Sequence, residues 1–241
     1  MTVLTLRLAA PLQAWGTSSR FTRRNTDRVP SKSGVVGLLA AALGRQRTDD
    51  LDDLRALRLG VRVEQPGRLE RDFQTARPRD GSKPLPLSYR FYLADAVFLA
   101  VLDGDPELLA SARDALRRPH FPLYLGRRSC PPTGPLVLGM GDGDLDRALT
   151  DTGWQASAAV AGRRHERSVT LTTVTDCPAE EPGAVLVRDE PLSFDPRHRR
   201  YGWRSVSWGA VTVDNPHFTP SHDDRAEQDH HEPLTPLSGE G

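Results

Sequence analysis

Long apolar stretches are missing from this 241-residue chain. No run of about 18 apolar residues occurs, so the sequence predicts no membrane-spanning helix. The N-terminus, MTVLTLRLAAPLQAW, lacks a basic segment followed by a long apolar stretch, which argues against a secretory signal peptide. The two cysteines, Cys130 and Cys177, are too few for a disulfide framework and are not spaced as metal ligands. We therefore expect a cytoplasmic protein without a membrane contact, a metal or a cofactor.

The chain also has no net charge, although its charges are unevenly distributed. The first 47 residues contain eight basic side chains and one acidic residue, Asp27. Segments 117–128 and 197–204 each contain four arginines and no acidic residue. Such segregation can create a basic face on a neutral protein, as nucleic-acid binding requires. The alternative is that these arginines are scattered over a solvated surface.

Hydrophobic patterning predicts a mixed α+β fold. Leu4, Leu6 and Leu8 alternate with polar residues, as in a half-buried strand. Asp105 and Pro106 form a helix start in which aspartate is the cap and proline occupies the first helical position. The predicted elements are strands at 3–8, 57–63, 91–102 and 136–138, and helices at 33–43, 50–57 and 106–118. Ser31 or Ser33 can cap the first helix.

This order of the main elements, βαββαβ, is typical of a ferredoxin-like or RNA-recognition domain, which we place at residues 1–140. The Pro-, Gly- and Asp-rich stretch 72–90 predicts a protruding β-hairpin with its turn near Asp80–Gly81. Residues 141–214 predict a smaller β-rich part with strands at 168–175, 184–188 and 206–213, although 141–166 are poorly patterned. Residues 215–241 have little apolar content and predict a disordered acidic tail.

Three stretches carry a resemblance to a known family. They are LRLAAPLQAWG with VPSKSGVVGLLAAALGRQR, then SYRFYLADAVFLAVL, and then RPHFPLYLGRRSCPP. Together, in this order and spacing, they resemble the CasD family of type I-E CRISPR systems, a branch of the RAMP superfamily. The later DEPLSF and RHRRYGWRSV stretches are similar to the same family, so the resemblance covers roughly residues 3–213.

The resemblance implies a ferredoxin-like domain with a β-hairpin thumb, located at 72–90, and a smaller β-rich C-terminal part. It implies a subunit of the Cascade complex that caps the 5′ handle of the CRISPR RNA, beside the backbone subunit CasC and the large subunit CasA. The assembled complex would also bind target DNA. A different subunit of this family's complex, CasE, cuts the precursor RNA, so the resemblance implies no catalytic residue here.

Residue chemistry points to candidate RNA contacts. An RNA handle presents phosphates, 2′-hydroxyls and unstacked bases, which favour cations, backbone amides and stacking surfaces in a binder. Lys32 and Ser33 adjoin a helix N-terminus, which favours a phosphate, although Ser33 could instead only cap the helix. Trp15 could stack on a base but is more typical of a core residue. The candidate residues are Arg20, Arg23, Arg24, Arg28, Lys32, Ser33, Arg45, Arg77, Arg79, Lys83, Arg90, Tyr124, Gly126, Arg127, Arg128 and Ser129.

Two other functions stay open from the residues alone. A metal-independent endoribonuclease that processes precursor CRISPR RNA would need acid–base groups, for which His120 and His198 are the candidates. A ferredoxin-like ligand-binding domain would lack a basic face and would not retain RNA.

Overall fold

The computed structural model describes residues 1–17, 23–81, 83–84 and 86–218. The strands are β1 Thr2–Ala9, β2 Leu12–Gln13, β3 Arg23–Arg24, β4 Arg58–Gln65, β5 Arg68–Gln74, β6 Ser88–Ala94, β7 Val97–Gly104, β8 Val137–Asp142, β9 Ser168–Asp176, β10 Val185–Ser193 and β11 Arg200–Asp214. The helices are α1 Lys32–Ala42, α2 Asp52–Ala56, α3 Pro106–Arg117, α4 Leu145–Asp151 and α5 Ala158–Ala161. The predicted α+β class is therefore confirmed.

Seven strands of the described part form one sheet in the order β10-β11-β9-β4-β7-β1-β8. All of its neighbouring strands are antiparallel. β1, β4, β7 and β8, which flank α1 and α3 in the chain, lie next to one another at one end of this sheet. The three C-terminal strands extend the same sheet, because β9 pairs directly with β4. The predicted boundary near residue 140 stays a prediction.

Helices cover both faces of this sheet. One face packs against α1, α2 and α3 in a core that includes Leu6 of β1 and Phe98 of β7. The other face packs against α4, where Leu149 belongs to one apolar cluster with Leu99 and Val101 of β7. β7 is thus buried on both faces, which is why its sequence is apolar almost throughout. None of the helices in the described residues is long and apolar enough to cross a bilayer.

The predicted strand at 91–102 is wrong as a single element. The chain breaks at Asp95, whose φ of 56° places it in the left-handed region. The backbone N–H of Asp95 donates to the Pro11 carbonyl at 3.0 Å, and the Gln65 amide donates to the Asp95 carbonyl at 2.5 Å. These two hydrogen bonds stabilise the break. The first part of the apolar run forms β6, which is not part of the seven-stranded sheet.

A second sheet of the described residues forms around β6, which pairs with β2, β3 and β5. β5 and β6 are antiparallel with an unshifted register over seven residue pairs, from Arg68↔Ala94 to Gln74↔Ser88. The hairpin is therefore longer than the predicted 72–90, and its connection runs over residues 75–87. We call the paired strands β5 and β6 the ribbon.

Capping and C-terminal details differ from the sequence-based predictions. Ser31, not Ser33, caps α1, and its hydroxyl accepts from the Gly34 N–H at 3.2 Å. The region 141–166 contains α4 and α5, which its weak patterning did not predict. Asn215 is buried and donates to the carbonyls of Arg164 and Glu166 at 3.0 and 3.1 Å, so the fold continues past the predicted start of the tail. Residues 219–241 lie outside the described residues, and their disorder stays a prediction.

Candidate nucleic-acid interface

An arginine-lined groove runs along α1, with a volume of about 850 Å³. Its other walls come from the segment 121–131, from Phe194 just after β10 and from Tyr201 of β11. Four of its lining residues are cationic: Arg45, Arg47, Arg128 and Arg199. Its lining within the described residues includes no aspartate or glutamate, so the groove is chemically suited to a polyanion.

Small residues on α1 shape the groove floor. Gly34 faces the Trp15 ring, and a Cβ at that position would lie 2.7 Å from the ring. A Cβ at Gly37 would lie 3.7 Å from the Phe194 ring. Trp15 is only 1% exposed and donates from Nε1 to the Gln13 side chain at 3.0 Å. The interpretation of Trp15 as a core residue is therefore confirmed.

The loop 124–130 forms one rim of the groove. The Leu125 N–H donates to the Cys130 carbonyl at 2.7 Å, and the Leu125 carbonyl accepts from Ala14 at 3.2 Å. Gly126 has a φ of 87°, and a Cβ there would overlap the carbonyl oxygen of Ala14. The loop therefore requires glycine at this position, both for its conformation and for its close approach to Ala14. Tyr124 and Gly126 both line the groove, and their contact with RNA stays a prediction.

Arg127 and Arg128 occupy different environments. Arg128 is exposed and lines the groove. Arg127 lies 4.6 Å from the centre of the Tyr92 ring and donates to the carbonyls of Arg24 and Asn25 at 2.8 and 3.3 Å. Arg127 thus attaches the loop to β3, while its neighbour faces the groove.

The Lys32 side chain is buried and paired with acidic residues of the protein itself. The residue is 7% exposed, and its ammonium forms ion pairs with Asp176 at 3.2 Å and Glu190 at 3.1 Å. Its backbone N–H donates to the Asp189 carboxylate at 2.8 Å. The N-terminus of α1, where the sequence predicted a phosphate, therefore already has a carboxylate of the protein itself.

The same acidic residues hold Arg204. Its guanidinium donates to both Asp189 oxygens, at 2.6 and 2.9 Å, and also to Asp176. Burial lowers the pKa of Arg204, but the hydrogen bonds and charges of Asp189 and Asp176 outweigh it, so the pKa lies above its ordinary value. We call Lys32, Asp176, Asp189, Glu190 and Arg204 the buried ionic cluster. It joins the start of α1 to the C-terminal strands that close the groove.

Some of the other candidate residues line the groove, and the rest lie outside it. Ser33 and Arg45 line the groove, although Arg45 is paired with Asp53. Ser129 is exposed outside the groove, with its hydroxyl 3.8 Å from the Cys130 sulfur. Arg20 lies outside the described residues. The remaining candidates do not line the groove: Arg23, Arg24, Arg28, Arg77, Arg79 and Lys83 are exposed, and Arg90 is half-buried.

Sequence reasoning did not name several groove residues as contacts, among them the arginine and aromatic side chains Arg47, Phe121, Phe194, Arg199 and Tyr201. Arg47 and Arg199 belong to basic segments that the charge distribution had singled out. Arg47 follows α1 closely in the chain, whereas Arg199 reaches α1 only because the sheet brings the C-terminal strands to it, which no local pattern reports.

The histidines considered for catalysis are not among the residues that line the groove. His120 and His198 are exposed, and the His120 ring packs edge-on against Phe121 at 4.6 Å between ring centres. In the described part of the chain, no group of three or more His, Cys, Asp or Glu side chains is arranged to hold a metal ion.

Known proteins resemble this chain over most of its length. The model of a family described as CRISPR-associated protein (Cas_Cas5) matches residues 3–207. The CRISPR system Cascade subunit CasD of Escherichia coli (strain K12) is 38% identical over 159 residues, which cover 56% of this chain and 70% of that protein. A chain of a solved structure described as a CRISPR RNA-guided surveillance complex superposes with a TM-score of 0.73 at 30% identity, covering 94% of this chain and 97% of the other. A crystal structure described as a Cas protein gives a TM-score of 0.67 at 37% identity, with coverages of 91% and 98%.

Proposed function

This chain belongs to the CRISPR-associated Cas5 family, and from that membership we propose that it is a non-catalytic, RNA-binding subunit of a CRISPR surveillance complex. We assign it the cap of the 5′ handle of the CRISPR RNA, beside the backbone subunit CasC and the large subunit CasA, in a complex that binds target DNA. The resemblance to the CasD family that the sequence predicted is confirmed. The handle, the partners and the absence of catalysis are parts of the proposal.

The observation that carries the proposal is the groove beside α1. Arg47, Arg128 and Arg199 supply guanidiniums, which bind phosphates in bidentate geometry. Tyr124 supplies an aromatic surface on the same rim, which Gly126 and Arg128 also line. Single-stranded RNA is typically recognised by this combination of cations and aromatic rings.

The fold supports the finer assignment of a ferredoxin-like domain with a thumb. β4, β7, β1 and β8 are neighbours in that spatial order, and α1 and α3 make the two crossovers. We propose that the hairpin from Arg68 to Ala94 is the thumb. Its connection carries the exposed basic residues Arg77, Arg79 and Lys83.

The salt dependence of RNA binding tests the groove. We expect the Arg47→Ala/Arg128→Ala double variant to bind single-stranded RNA more weakly than the wild type. If each arginine contacts one phosphate, the slope of log affinity against log salt concentration falls by about 1.4. The matched control is Arg147→Ala/Arg164→Ala, which removes the same charge from exposed positions outside the groove. Equal effects of the two double variants would contradict the assignment of the groove.

Co-expression tests the place of the chain in a complex. The chain is co-expressed with the other subunits and a CRISPR array, pulled down, and the retained RNA is sequenced and crosslinked. We expect RNA of uniform guide length that crosslinks to this chain through its 5′ handle. Recovery of the partner subunits without RNA would instead indicate a protein scaffold.

The nuclease alternative has its own outcome. We expect the purified chain to leave a repeat RNA intact in the presence of a metal chelator. Cleavage that is abolished by His120→Ala or His198→Ala would overturn the non-catalytic assignment.

A further inference from the structure

One face of the ribbon carries exposed aromatic side chains. Because side chains alternate between the faces of a strand, Leu69, Arg71 and Phe73 of β5 share a face. The register places Phe73 opposite Tyr89 and Arg71 opposite Phe91 on that same face. Phe73 is 65% exposed and Tyr89 is 39% exposed. We call Phe73, Tyr89 and Phe91 the ring cluster.

Cations accompany these rings. The Arg71 guanidinium lies 5.5 Å from the centre of the Tyr89 ring, and the Arg23 guanidinium lies 5.1 Å from the centre of the Phe91 ring. Both distances are within the range of cation–π interaction. The guanidiniums are therefore held beside the rings, while the Phe73 ring projects into solvent.

The acidic residues of β5 lie on the other face. Glu70 and Asp72 alternate with Arg71 and Phe73, so their carboxylates point away from the ring cluster. The residues opposite them on β6 are Tyr92 and Arg90. The charged side chains on the face of the ring cluster are thus all cations, whereas the carboxylates of Glu70 and Asp72 lie on the other face.

We propose that the ring cluster is a base-stacking platform for single-stranded RNA, with Phe73 and Tyr89 stacking on bases and Arg71 and Arg23 pairing with the flanking phosphates. This proposal rests on the proposed RNA-binding function and adds a second binding surface, because the ring cluster does not line the groove. Rings stack on any base, whereas the adjacent cations favour a polyanion over a neutral apolar partner. The seven unshifted residue pairs fix which side chains lie opposite one another on this face.

The test measures RNA affinity of the full chain by fluorescence anisotropy with a labelled single-stranded RNA. A parallel set of RNAs carries one abasic site each, moved along the strand. We expect Phe73→Ala/Tyr89→Ala to weaken binding by about 5- to 100-fold per stacked base, with an unchanged salt slope. Abasic sites that weaken wild-type binding should have no further effect on this variant.

Two further variants separate stacking from damage to the ribbon. Phe73→Leu/Tyr89→Leu keeps apolar bulk without rings and should lose the same affinity. Leu69→Ala, at a neighbouring 54%-exposed position on the same face, should leave the affinity unchanged.

The remaining outcomes overturn the platform in distinguishable ways. If the ring variants bind RNA and respond to abasic sites as the wild type does, the platform is wrong and the groove assignment stands. If they bind RNA normally but no longer assemble with co-expressed subunits, the face is a protein-docking surface. If the wild-type chain itself binds no RNA, the proposed function fails together with the platform.

Discussion

Replacing Gly126 with alanine tests how tightly the groove loop is constrained. Gly126 and Gly81 both have positive φ, at 87° and 78°. A non-glycine residue in the left-handed region costs about 1–2 kcal/mol at either position. The two differ in space, because a Cβ at Gly126 would overlap the Ala14 carbonyl, whereas a Cβ at Gly81 has nothing within 4 Å. Gly81→Ala is therefore the matched control.

The overlap at Gly126 involves backbone, so no side-chain rotation relieves it. The loop must move away from Ala14, which weakens the hydrogen bonds Ala14→Leu125 and Leu125→Cys130. Each such bond contributes about 1 kcal/mol net, so we expect Gly126→Ala to lower the free energy of unfolding by about 3 kcal/mol or more. A loss of about 3 kcal/mol corresponds to a fall in Tm of about 6–12 °C, against about 2–8 °C for the roughly 1–2 kcal/mol expected of Gly81→Ala.

Thermal unfolding followed by circular dichroism measures both variants, and anisotropy at a temperature where each is folded measures RNA affinity. We expect weaker RNA binding for Gly126→Ala, because the shift displaces Tyr124 and Arg128 from the groove. Equal destabilisation by the two substitutions would refute the claim that contact with Ala14 constrains the loop. Unchanged RNA affinity of folded Gly126→Ala would show that the loop position does not matter for binding.

Three further expectations concern buried groups. Asp189→Ala should lower the free energy of unfolding in urea by about 3–5 kcal/mol, because the largely buried Arg204 loses two of its hydrogen bonds and keeps only Asp176 as a carboxylate partner. Asp52→Ala, which removes a 74%-exposed partner of Arg55, should cost less than about 1 kcal/mol. Burial raises the pKa of Asp27 above its ordinary value, so the free energy of unfolding of the wild type relative to Asp27→Asn should fall as pH rises through that raised pKa. An equal difference in unfolding free energy between the two proteins at about pH 3 and about pH 7 would contradict this. Burial also raises the pKa of Cys130, so iodoacetamide should label its thiol far more slowly in the folded chain than in urea. Equal labelling rates in the two states, measured by mass spectrometry, would place the thiol at the surface.

Local patterns predicted much of the fold. Asp105 and Pro106 start α3 as predicted, since a cap and its first turn involve only neighbouring residues. The apolar run at 97–102 predicted a central strand, and β7 is buried on both faces. The sequence did not predict α4. It also did not predict the break at Asp95, because the apolar run continues from β6 into β7 and the break depends on hydrogen bonds with Gln65 and Pro11 elsewhere in the chain.

Charge segregation and the family motifs indicated an RNA-binding protein, and the family itself follows from sequence. Only the tertiary structure decided which cations are available to a ligand. Lys32 is paired with Asp176 and Glu190, and Arg127 donates to backbone carbonyls of β3, whereas Arg128 and Arg199 face the groove. A sequence records the number and order of charges. Their burial and their partners depend on strands that meet from distant parts of the chain, because carboxylates of β9 and β10 pair with Lys32 and a carbonyl of β3 accepts from Arg127.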